Sequence, residues 1–293
     1  EFLRRRGEKL LPSGRDKRLA SDHSVTVRGN QWFDHATEQG GLAIDFVQKF
    51  YGLSCPDAVT VLLGGESGIW YLSAREEPAE QRKPFALPPA HTDMRRVYAY
   101  LLQSRCIDRD VLTEFARAGL IFESAEPSAD KTKIYHNAVF VGNDEHGVAR
   151  HGHKRSIYTS GKSYRGNIES SDPRYSFHWV GESDQLYVFE APIDLLSYIS
   201  LHQENWRDHS YVSLCGTSEH AMLWMLEQYT RLGEIVLCLD NDDAGVKAAE
   251  RLTGFLAEHG YENIRIDHSE EKDWNDELVH TCETEEKMTM EME

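Results

Sequence analysis

Ile235-Val-Leu-Cys-Leu-Asp-Asn-Asp-Asp-Ala-Gly245 is the stretch on which the fold of most of this chain turns. Five apolar residues in a row read as a short strand, which stops at Asp240. A helical pattern follows at once, with Val246, Ala249, Leu252 and Leu256 on one face and Gly260 closing it. The same grammar repeats on either side. Leu186-Tyr-Val-Phe189 precedes a helix from Pro192, Tyr211-Val-Ser-Leu214 precedes a helix over Glu219–Tyr229, and Asn263–Ile266 supplies a last strand. Strand and helix alternating at this spacing predict a parallel, Rossmann-like α/β sheet with right-handed crossovers. Ligands of such sheets sit at the carboxyl ends of the strands.

Acids gather at those ends. The first strand runs into Glu190, with Asp194 one helical turn later; the third runs into Asp240 and Asp242; beyond the fourth lies Lys272-Asp-Trp-Asn-Asp276. Carboxylates converging in space repel each other unless a cation neutralises them, and an all-oxygen ligand set suits Mg²⁺ or Mn²⁺ rather than zinc. A second charged feature lies upstream: between His146 and Asn167 stand Arg150, Lys154, Arg155, Lys162 and Arg165, with no acid among them. That window is a candidate phosphate-binding face, although the whole chain carries a formal charge of −17. Distribution explains the contrast, because residues 267–293 hold eleven acids against two lysines.

Residues 186–194 resemble the strand-Glu-Gly-x-x-Asp motif of Toprim domains, with Ala191 in the glycine position. Residues 213–218, Ser-Leu-Cys-Gly-Thr-Ser, resemble the loop that follows in DnaG-type primases. Residues 237–245 are similar to their Asp-Gly-Asp-x-Ala-Gly motif, Lys272–Asp276 stands where their last acidic motif lies, and residues 137–155 resemble their basic strand–turn–strand. Together the likeness covers most of residues 95–280. It implies a Toprim core over 185–280, preceded by a helical and β-rich primase-like subdomain over 95–184. It further implies phosphoryl or nucleotidyl transfer on DNA: Glu190, Asp240 and Asp242 would hold two Mg²⁺ (or Mn²⁺), Glu190 would also act as general base, and Asp194 would orient a water. Arg150, Lys154, Arg155, Lys162 and Arg165 would hold phosphates of single-stranded DNA or nucleotides. A Toprim nuclease and a non-catalytic single-stranded DNA-binding module share these residues, and both readings stay open, as does a helicase or relaxase partner in the replication or mobilisation of a mobile element.

Residues 1–65 read as a small α+β unit. Strand signals at Ser24–Val27 and Asn30–Phe33 precede a helix in which Ala43, Phe46, Val47 and Phe50 share one face. Gln31-Trp-Phe33 and Gly40-Gly-Leu-Ala-Ile-Asp-Phe46 resemble the zinc-ribbon domain of the same primases, yet no cysteine occurs before Cys55. A thiolate zinc site cannot form there, and His23 and His35 are expected to be packing or surface residues. A degenerate ribbon without zinc is the expectation. Four of nine prolines mark residues 66–94 as a linker, and the Glu- and Met-rich composition of 281–293 reads as a disordered acidic tail.

The 293 residues are 40% hydrophobic, enough for about two cores. No apolar run is long enough to span a bilayer, and the basic start at Arg4-Arg-Arg6 is followed by no apolar segment, so neither membrane insertion nor secretion is expected. Five scattered cysteines without a C-x-x-C pair fit a reducing cytoplasm. Residue 1 is Glu rather than Met, as expected of a piece of a longer protein.

Overall fold

Two units make up the chain, residues 1–81 and 82–293. The computed structural model describes residues 2–14, 16–36, 39–53, 55–62, 83–128, 131–158, 164–216 and 218–292. Residues 66–82 of the expected linker and Lys162 of the basic window lie outside the described residues.

The first unit opens with helix α1 (Phe2–Arg5) and continues as an antiparallel meander of five strands in sequential order: β1 (Leu10–Ser13), β2 (Asp16–Leu19), β3 (Val25–Arg28), β4 (Gln31–Asp34) and β5 (Gln39–Leu42). Helices α2 (Ala43–Tyr51) and α3 (Cys55–Leu62) follow. Trp32 on β4 is the centre of its core, packed edge-on against Phe46 and Phe50 of α2 and surrounded by Leu19, Val25 and Val47. His35 lies 3.2 Å from the Thr26 hydroxyl and packs against the Phe33 ring.

The second unit begins with α4 (Arg95–Ala99), a single π turn at Tyr100–Ser104 and α5 (Arg109–Arg117), whose N-cap Asp108 accepts from the amides of Asp110 and Val111. An antiparallel sheet follows, ordered β6 (Ile121–Pro127), β7 (Ile134–Asn143), β8 (Ala149–Ser156), β9 (Arg165–Asn167). After β10 (His178–Trp179) come β11 (Gln185–Phe189), α6 (Pro192–Leu201), β12 (Ser210–Ser213), α7 (His220–Gln228), β13 (Glu234–Leu237), α8 (Asp243–Glu258), β14 (Asn263–Ile266) and α9 (Trp274–Met292). These strands form one sheet in the order β10-β12-β11-β13-β14, parallel except at β10.

Strand alternation divides the interior in two. Tyr187, Phe189, Val236 and Cys238 point to the layer holding α5, α6 and the start of α9, together with Ile121, Ala138 and Phe140 of the antiparallel sheet. Leu186, Val188, Ile235 and Leu237 point to the layer of α7 and α8. The chain therefore leaves β11 toward one face and the neighbouring β13 toward the other. Loops that diverge from adjacent parallel strands open a crevice at their carboxyl ends, here between Glu190 and Asp240. The tail differs from expectation: α9 runs through residue 292, anchored by Trp274, Leu278 and Cys282, which recur every four residues and pack on the core.

Candidate active site

Each acid is delivered by a strand end or a helix start. Glu190 follows β11 directly, and Asp194 stands in the first turn of α6, 7% exposed. Ala191, where the motif carries glycine, is in an extended conformation (φ −129°, ψ 156°) that any residue adopts, so this departure strains nothing. In the next loop Cys215 has φ 50°, the left-handed region that glycine enters without cost. Its neighbour Gly216 donates its amide to the Glu190 carbonyl at 3.1 Å, tying the two loops together.

Asp240 and Asp242 flank Asn241, whose amide donates to the Lys272 carbonyl (2.7 Å) and whose side chain donates to the Ser269 carbonyl (3.1 Å). With the Trp274 indole on the Cys238 carbonyl (3.0 Å), these bonds fix the 267–276 segment against the end of β13 and bring Asp273 to the acids. Asp242 caps α8: its Oδ1 accepts from the amides of Ala244 and Gly245, both at 3.0 Å, and its Oδ2 lies 3.9 Å from Lys272 Nζ.

Glu190, Asp194, Asp240, Asp242 and Asp273 line one open cleft of about 550 Å³ with Arg105, His153, Arg155, Arg165 and Lys272. The electrostatics match the crowding. Burial, then Asp240 and Asp242, push the Glu190 carboxyl up to about 7. Burial, then Asp273 and Asp242, push Asp240 up to about 6 against the pull of Lys272 and Arg165. Asp194 is raised well above the carboxylate range, chiefly by burial. Asp242 moves the other way, because the amides of Gly245 and Ala244 stabilise its charged form. Glu190 Oε1 and Asp240 Oδ1 are buried and have no hydrogen-bond partner. Buried carboxylate oxygens without donors carry a large desolvation cost that a hard cation relieves, so the donor set fits Mg²⁺ or Mn²⁺.

Of the basic window, Arg155 and Arg165 reach this cleft, as directly paired residues of β8 and β9. Lys154 and Arg150 do not line it. Lys154 pairs with Glu126 at 3.0 Å and Arg150 with Asp144 at 2.7 Å, both away from the acids. Arg105 was not singled out in the sequence. Its guanidinium donates to the Tyr100 hydroxyl (2.9 Å) and to Asn275 Oδ1 (2.9 Å), while Asn275 Nδ2 returns a bond to the Arg105 carbonyl.

An uncharacterized protein of Bacillus anthracis, pXO2-78, is 30% identical over 303 residues, which span 94% of this chain and 84% of that protein. Residues 187–278 match the family model described as Toprim-like. The chain is a Toprim-domain protein of the pXO2-78 family. Residues 99–183, directly before the Toprim-like domain, match a family described as a protein of unknown function, DUF3991. Among solved structures, the primase fragment of the bacteriophage T7 primase-helicase protein is similar at 16% identity and a TM-score of 0.48, covering 90% of this chain and 91% of that one. The Aquifex aeolicus primase (zinc binding and RNA polymerase domains) follows at 16% identity and a TM-score of 0.43, covering 96% and 79%. The E. coli primase catalytic core gives 16% identity and 0.44, covering 64% and 69%.

Proposed function

We infer that the Toprim-like cleft performs metal-dependent nucleotidyl transfer on DNA in the manner of a primase. The carrying observation is that Glu190 Oε1 and Asp240 Oδ1 are buried without partners and face Arg155 and Arg165 across one cleft. Acids that need cations beside guanidinium groups that need anions describe a place for a metal-bound phosphate. Glu190, Asp240 and Asp242 would hold Mg²⁺, which supplies charge neutralisation for a departing phosphate and acidifies a hydroxyl. The protein's own contributions are separate. Arg155 and Arg165 orient phosphate oxygens, Lys272 offsets charge beside Asp242, and Glu190, its proton affinity raised toward neutrality, can accept the proton of an attacking hydroxyl. Asp194, buried and drawn to its protonated form, accepts from the Asn275 amide and would hold a proton beside the acid cluster.

The reading extends to single-stranded DNA and nucleotides as substrates, and to a role on a mobile element, which a plasmid-borne relative supports. Hydrolysis of the DNA backbone uses the same acids, so the test must separate products. Purified chain is given labelled single-stranded DNA, all four ribonucleotides and Mg²⁺, beside the Glu190→Gln variant. Short RNA products made only by the unaltered chain support a primase. Shortened DNA in their place overturns synthesis in favour of a nuclease. DNA binding with neither product, equal in both proteins, overturns the enzyme reading altogether.

A further inference from the structure

A second cluster of metal-ligating side chains lies away from the acidic cleft. Glu123 stands on β6 with its side chain fully buried, on the core face it shares with Ile121. His136 on β7 occupies the same face, two residues from Ala138, the direct partner of Glu123, and its Nδ1 lies 2.7 Å from Glu123 Oε1. His91 comes from the segment that enters α4. Its neighbour Ala90 bridges to Ser124, and its own amide donates to the Glu123 carbonyl at 2.7 Å. This places His91 Nδ1 3.8 Å from Glu123 Oε1 and its ring 5.2 Å from that of His136, edge to face. One ligand atom from each of the three residues lies within 4.8 Å of the other two.

We propose that His91, Glu123 and His136 form a binding site for one divalent transition-metal ion of the zinc class. Two imidazoles and one carboxylate are a borderline ligand set that favours Zn²⁺ over Mg²⁺, and three protein ligands leave a fourth position for water. The surroundings are compatible. Arg96 Nη1 stands 3.5 Å from Glu123 Oε1, but that guanidinium is half exposed and free to turn to solvent, while the Val97 amide holds the other carboxylate oxygen at 3.3 Å. Asp93, its carboxylate 3.9 Å from His91 Nδ1, adds a negative charge, and its carbonyl and amide lie 3.1 and 3.3 Å from the same nitrogen, contacts that an ion ligated at Nδ1 would displace. The first unit has one cysteine, Cys55, too few for a thiolate ribbon, and this imidazole site is independent of it. The ion would clamp the start of α4 to the β6–β7 ladder. Tyr100, in the turn that continues α4, accepts from both Arg105 and Arg155, so the clamp would steady the basic wall of the cleft. The proposal stands on its own residues and not on the function inferred for the acidic cleft.

Co²⁺ is the probe, because its visible absorption reports imidazole ligation. The full chain, stripped with a chelator and kept in a millimolar excess of Mg²⁺, is titrated with Co²⁺, and bound Co²⁺ is then displaced with Zn²⁺. One equivalent with a ligand-field band is expected. His136→Asn and His91→Ala should weaken binding by about tenfold or more, whereas Glu190→Gln/Asp240→Asn should leave it intact. His91 is partly exposed, so its variant should fold, and circular dichroism verifies this. No band in the unaltered chain overturns the proposal. So does a band that survives in a folded His91→Ala variant, or one that vanishes only with the acidic-cleft variant.

Discussion

Gly245 and Asp240 meet backbone to backbone: a Cβ placed on Gly245 would lie 2.0 Å from the Asp240 carbonyl oxygen. The first turn of α8 thus presses on the strand end that carries Asp240, and glycine is required there for space. Gly245→Ala must push α8 away from Asp240. Overpacking of this kind costs roughly 1–3 kcal/mol, and it should also weaken Mg²⁺-induced stabilisation. Gly254, on the same helix, has nothing within 4 Å of a built Cβ. Gly254→Ala should therefore stabilise by roughly 0.5–1 kcal/mol. Thermal melts of both variants with and without Mg²⁺ test the pair, and equal effects of the two would show that the contact does not matter.

The acids set a pH dependence with a definite sign. Glu190 and Asp240 are pushed to about 7 and about 6 in the folded chain, above the carboxylate range of the unfolded chain. They bind protons more tightly when folded, so their favourable contribution is complete at low pH and is lost as pH rises through those values. Without metal, Asp240→Asn should raise the melting temperature at pH 8 by ~2–4 °C, about 1 kcal/mol after allowing for solvent screening. At pH 4 it should change little. Mg²⁺ should stabilise the unaltered chain most at pH 8 and the variant hardly at all. A drop in stability at pH 8 would mean that Asp240 serves an ion pair instead. Asp242→Asn is expected to be near neutral without metal, since asparagine caps helices as well as aspartate does.

Salt dependence distinguishes the basic residues. Arg155 and Arg165 line the cleft, whereas Lys154 is paired with Glu126. Replacing both arginines with alanine should reduce the slope of log affinity for single-stranded DNA against log salt by roughly 1.4, about 0.7 per phosphate contact. Lys154→Ala should leave the slope unchanged. Fluorescence anisotropy across a salt series measures both, and the reverse result would put the DNA on the Glu126 side of the sheet.

How far the sequence could be read follows from the same residues. The parallel sheet was legible because its strands are short apolar runs with acids at their carboxyl ends, and that pattern is local. Arg105 was not, because its partner Asn275 is 170 residues away and only the fold joins them. Lys154 and Arg155 were read together as neighbours, although adjacent strand residues face opposite sides. The alternation of His153 and Arg155 along β8 carried the signal that separates them. The terminal helix was hidden by composition, since its acids mask an apolar residue at every fourth position, Trp274, Leu278 and Cys282.

Tyr100 links the basic wall to the core. Its ring is 5% exposed, and its hydroxyl accepts from Arg105 at 2.9 Å and from Arg155 at 3.3 Å. Tyr100→Phe keeps the ring and removes only the acceptor, so the packing loss is small and stability should fall by about 1 kcal/mol. The two guanidinium groups respond differently. Arg105 retains Asn275, while Arg155 loses the bond given for it and gains rotamer freedom that must be surrendered when a phosphate binds. Nucleotide and single-stranded DNA binding should weaken about five- to tenfold, whereas Mg²⁺-induced stabilisation, which depends on the acids alone, should be unchanged. Measuring both on one preparation separates a positioning role from a general loosening of the fold. Binding as tight as that of the unaltered chain would show that Arg155 needs no support, and a parallel loss of the Mg²⁺ effect would show that Tyr100 holds the cleft as a whole.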